Sequence, residues 1–97
     1  MNQIAIQNKA KVLWRLLKKY SEHDDLAMQA FHTLKSILEK AQAGEITSPL
    51  KWDEIPCGYM FVEKGLGKYR DLESAYADFK VEVTDSNDAL LDIISKL

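Results

Sequence analysis

Apolar residues return at intervals of three and four over both ends of this chain and stop doing so in its middle. Only a helix gathers such positions onto one side, so this pattern constrains the fold more than any other property. Ile6, Ala10, Leu13, Leu17 and Tyr20 form the first stripe, widened by Leu16, and predict a helix from Asn2 to Tyr20. Ser21 to Asp25 is a polar break, in which Asp24 or Asp25 suits the positive start of the next helix. Ala27, Ala30, Phe31, Leu34, Ile37, Leu38 and Ala41 then make the core face of a second helix, Leu26 to Ala43. Its polar face is His32, Lys35, Ser36 and Glu39, and Gly44 is placed to end it in a left-handed cap. Two helices joined by so short a turn form an antiparallel hairpin.

The stretch 44–70 holds both prolines, three further glycines, and Trp52, Tyr59, Phe61 and Tyr69. It is long for an irregular connection, and connections of that length often carry function. Tyr59 to Val62 is short enough for one strand, and Gly65-Leu66-Gly67 reads as a turn. With Asp71 as its cap, a third helix follows on Leu72, Ala75, Tyr76, Phe79 and Val83. Phe79 to Thr84 also alternates with period two, as a strand would. Asp85-Ser86-Asn87 breaks the pattern, and a last helix from Asp88 to Leu97 turns Leu90, Ile93, Ile94 and Leu97 inward. The expected fold is mainly α: about four helices in one globular domain, 1–97, made of a hairpin (2–43), an irregular segment (44–70) and a helical C-terminal part (71–97). The alternative is α+β, with a small antiparallel sheet from 59–62 and 79–84.

A hydrophobic content of 46% against 29% charged residues is that of a folded chain, not a disordered one. Gln3, Gln7, Asn8 and Lys9 interrupt the N-terminal apolar residues, and no run is long enough to span a bilayer. A cytoplasmic protein with no membrane partner is therefore expected. Cys57 is the only cysteine, which excludes an internal disulfide and fits a reducing compartment.

Charge is split along the chain. Residues 1–20 carry Lys9, Lys11, Arg15, Lys18 and Lys19 and no acid, while 71–97 carry Asp71, Glu73, Asp78, Glu82, Asp85, Asp88 and Asp92 against Lys80 and Lys96. The net charge is only −2, so electrostatic recognition has to be local. Lys11, Arg15 and Lys18 share the side of the first helix opposite its apolar stripe, with Lys19 beside them. Asp71, Asp78, Glu82 and Asp85 share a side of the third, and Asp88 and Asp92 extend it.

No constellation points to catalysis. His23 lies in a turn and His32 on a polar face, where a solvated role accounts for both. Cys57, between Pro56 and Gly58, has no neighbouring base and reads as a small buried hydrophobe. Asp85 to Asp88 lacks the glycine and distal glutamate of a calcium loop, and helix capping explains it. Gly65 to Lys68 has neither P-loop nor dinucleotide spacing. No enzyme activity, metal or cofactor is expected.

Binding remains. In size and charge the chain resembles the small acidic immunity proteins that bacteria keep against their own toxins. That resemblance implies an inhibitor that neutralises a basic toxin or nuclease. Asp71, Asp78, Glu82, Asp85, Asp88 and Asp92 would steer the partner, and Trp52, Tyr59 and Tyr69 would anchor it. A solvated acidic face and core-filling aromatics are the plainer alternatives. The first rival reading is a nucleic-acid-binding or regulatory protein using Lys11, Arg15, Lys18 and Lys19. It is disfavoured because the acidic half would repel phosphates. The second rival is self-association of the basic and acidic patches, which can equally meet within one monomer.

Overall fold

The computed structural model describes residues 2–84. They form four helices, α1 (Gln3–Ser21), α2 (Asp25–Gln42), α3 (Gly58–Val62) and α4 (Arg70–Thr84), with short 3-10 turns at Trp52–Glu54 and Leu66–Lys68. The fold is mainly α, and no strand occurs among the described residues.

Local chemistry sets the helix ends. The Asn2 side chain accepts the Ala5 N–H at 3.0 Å to start α1. Asp24 does the same for α2, taking the N–H groups of Leu26 and Ala27 at 2.8 and 3.3 Å. Gly44 adopts φ +75°, so Glu45 N–H reaches Lys40 C=O (2.9 Å) and Gly44 N–H reaches Ala41 C=O (3.2 Å). This paired return satisfies carbonyls that the helix end would otherwise leave open.

α1 packs against both α2 and α4. Ile6, Ala10, Leu13 and Leu17 of α1, Ala27, Ala30, Leu34, Leu38 and Ala41 of α2, and Leu72, Ala75, Tyr76, Phe79 and Val83 of α4 are all buried. Each large aliphatic side chain so enclosed contributes about 1.5–3 kcal/mol. The connection closes the core by adding Ile46, Ile55, Cys57, Met60 and Leu66. It is pinned at intervals: Gln3 Nε2 donates to Ile46 C=O at 2.6 Å, Leu50 N–H donates to Val83 C=O at 2.9 Å, and the Tyr76 hydroxyl donates to Pro56 C=O.

The α+β alternative fails at both proposed strands. Residues 59–62 lie in α3, where Glu63 N–H closes the turn onto Tyr59 C=O at 2.7 Å. Residues 79–84 complete α4, because Phe79 and Val83, four apart, are both buried while Val81 is half-buried. The helical period therefore prevails over the alternation. Asp71 sits inside the first turn of α4 and is not its flanking cap. The expected break at 85–87 and helix at 88–97 lie outside the described residues.

Candidate functional site

Two of the acids predicted on one side of the third helix, Asp71 and Asp78, meet α1. Tyr20 Oη donates to Asp71 Oδ1 at 2.8 Å, and this bond holds the Asp71 carboxyl below the ordinary range. Lys9 Nζ lies 3.7 Å from Asp78 Oδ2. The two charged ends of the sequence therefore meet within one molecule. Glu82 stands half-buried one turn beyond Asp78. Asp85, Asp88 and Asp92 fall outside the described residues.

Tyr69 is engaged on two sides. Its ring stacks on Tyr20, with centroids 4.1 Å apart and planes 21° apart, and its hydroxyl donates to Asp24 Oδ2 at 2.8 Å. That bond lowers the Asp24 pKa and raises that of Tyr69. Lys68 Nζ approaches the same carboxylate at 3.7 Å. Two stacked tyrosines, each bonded to an aspartate, thus clasp the end of α1, the start of α2 and the start of α4. Because Lys68 is drawn to Asp24, and the Glu73 carboxylate lies against Gly67, the glycine turn offers acid where a phosphate cradle needs donors.

Trp52 and Tyr59 behave differently. They are 49% and 54% exposed, on either side of the buried pair Ile55 and Cys57. The Lys80 ammonium sits 4.3 Å from the Trp52 ring centroid and 5.8 Å from that of Tyr76. Phe61 stacks on Tyr76 at 4.5 Å with planes 7° apart. Burial lowers the Lys80 pKa, and no carboxylate among the described residues lies within 4 Å of it. An aromatic–cation column from α4 thus gives the exposed indole one cation–π contact, worth about 0.5–1 kcal/mol at such a site. Asp53 and Glu54 follow in the Trp52 turn, and Glu63 follows Tyr59 by one helical turn. Beside them an open groove of about 440 Å³ runs between α2 and the connection, floored by Ile37, Ile46, Leu50 and Pro56 and edged by Glu54.

Lys11, Arg15, Lys18 and Lys19 are exposed on α1 as the periodicity implies. His23 and His32 are exposed as well. Cys57 is buried at φ +78°, and burial raises its pKa. No group of three or more His, Cys, Asp or Glu side chains suited to a metal exists among the described residues. No described helix is long and apolar enough to cross a membrane.

Sequence reasoning reached Asp24 as the cap of α2 but missed its bond to Tyr69, and it missed the roles of Lys80 and of the Tyr20 hydroxyl. Their partners lie 28 to 51 positions away, beyond any periodicity. No family model, curated protein or solved structure matches this chain.

Proposed function

We propose that this chain is a protein-binding inhibitor of the immunity type. It would neutralise a basic toxin or nuclease by docking the surface around Trp52 and Tyr59 onto it. The observation that carries this reading is the half-exposed Trp52, seated against Lys80 on a connection pinned to α1 and α4. A large exposed aromatic on a backbone that is already pinned has less entropy to lose on association than one on a free loop, which suits an interface anchor. Asp53, Glu54 and Glu63 stand around the anchors among Lys51, Lys64 and Lys80, so the rim is mixed in charge and a basic partner would be met by these acids alone. Asp71 and Asp78 are engaged by Tyr20 and Lys9, so their part is long-range steering rather than direct contact.

The test begins with capture from the native cell by the tagged chain, followed by calorimetry on the purified partner. A basic partner whose affinity falls about 30-fold or more with Trp52→Ala, equivalent to about 2 kcal/mol, supports the reading. A partner bound equally well by Trp52→Ala and Tyr59→Ala, or no bound protein, overturns it. Circular dichroism of each variant separates lost binding from lost folding.

A further inference from the structure

The outer face of the α1–α2 hairpin has a composition that the proposed inhibitor role does not use. We infer that it is a binding site for single-stranded nucleic acid.

The first ground is charge. Lys11, Arg15, Lys18 and Lys19 on α1 and Lys35 on α2 are all exposed, and none has a carboxylate within 4 Å among the described residues. Lys11 and Arg15, and Arg15 and Lys19, stand four apart on one helix. Like charges at that spacing repel by about 0.2–0.5 kcal/mol each. Glu22, four after Lys18, and Glu39, four after Lys35, are exposed and offset part of this, so the face is basic but mixed and a bound anion relieves the repulsion that remains. Of the α4 acids, Asp71 reaches the row only at Lys19, which lies 5.3 Å from the Tyr20 ring centroid and, after the Tyr20 bond, helps lower the Asp71 pKa. Asp78 meets Lys9 on that same flank, so Lys11, Arg15, Lys18 and Lys35 carry the site.

The second ground is what lies between the cations. Trp14 and Phe31 meet edge to face across the hairpin, with centroids 4.9 Å apart and planes at 89°, and both are only half-buried. Lys11 is three residues before Trp14 and Lys18 four after it. Met28 is three before Phe31 and Lys35 four after it. The helices run antiparallel, so Lys11 falls beside Lys35 and Lys18 beside Met28, bracketing the aromatic pair. Ile4, Val12 and Met28, exposed by 71%, 38% and 44%, stand on the same hairpin. Cations interleaved with aromatic edges and isolated apolar side chains suit a strand that offers phosphates and unstacked bases together. An acidic peptide would use the cations and not the aromatics. A bilayer would require a continuous apolar stripe, whereas here the apolar side chains are separated by charge.

The site reads charge and stacking, so little sequence preference follows. Phosphate contacts from Lys11, Arg15, Lys18 and Lys35, at about 0.7 each, give a slope near −3 for log affinity against log salt concentration.

The test is fluorescence anisotropy of a labelled oligothymidylate of about 20 nucleotides with the full chain at ~50 mM salt. Binding with that slope is expected, weakened more than about 10-fold by Lys11→Gln/Arg15→Gln/Lys18→Gln, whose circular dichroism should match the parent. In a Trp52→Phe background, quenching of the remaining Trp14 fluorescence on binding is expected. No binding at ~50 mM salt, or an affinity changed by less than about twofold in the triple variant, overturns the proposal. So does tighter binding of polyglutamate or of phosphatidylserine vesicles, which would assign the face to an acidic protein or a membrane.

Discussion

At the residue scale, two positions show how local geometry dictates identity. A Cβ on Gly67 would lie 2.8 Å from the Phe61 carbonyl oxygen and 2.7 Å from Glu73 Oε2. The glutamate can swing away, but the backbone of α3 cannot. Gly67→Ala should therefore cost about 1–3 kcal/mol, measured by urea denaturation. Cys57 is 3% exposed, and burial raises its pKa, so little thiolate is present and little of the sulfur is reachable. A thiol reagent at pH 8 should leave the native protein almost unlabelled and react promptly once denaturant is added. Prompt native labelling would show that the connection opens readily. The cysteine's left-handed backbone was not legible in the sequence. That conformation is set by where α3 must begin, not by a preference of cysteine.

At the element scale, the helices differ in what holds them to one another. Phe79 is fully buried at the centre of α4, and Phe79→Ala should cost about 3–5 kcal/mol, a large part of the ~5–15 kcal/mol usual for a domain. The Lys9–Asp78 pair has half-exposed side chains 3.7 Å apart, so Lys9→Gln should cost no more than about 1 kcal/mol in the same denaturation experiment. The Tyr20–Asp71 and Tyr69–Asp24 clasp gives the helix ends a pH dependence. Both carboxyl pKa values are lowered in the folded state. The stability they contribute is present above the ordinary carboxylate pKa and is lost as pH falls through the folded values. Thermal midpoints should thus fall on acidification below about pH 4, and Tyr20→Phe/Tyr69→Phe should flatten that fall. The tyrosine pKa values are raised, so their contribution is present below the ordinary phenol range near pH 10 and is lost above it. An acid limb unchanged in the double variant would remove the clasp from the account.

At the scale of the whole molecule, the charge split becomes an arrangement of faces. Part of the acidic half lies along the α1–α4 seam and meets Lys9 and Tyr20 within the monomer, while the basic row of α1 stands outward with Lys35. With opposite charges meeting internally, light scattering should give the monomer mass at both ~50 mM and ~500 mM salt. A dimer that dissociates as salt rises would mean that the patches also pair between molecules. The sequence alone determined the three long helices, the left-handed stop at Gly44, and nearly every core position on α1, α2 and α4. The residues that specify these features lie within a turn or two of each other. It offered 59–62 only as a short strand and left 79–84 open between helix and strand, since four to six residues carry too little periodicity to decide. It also could not separate Tyr69, which is drawn into the clasp, from Trp52, which meets Lys80 at the surface. That separation depends on contacts between positions 28 to 51 apart, and only the packing of α1, α2 and α4 around the connection brings those positions together.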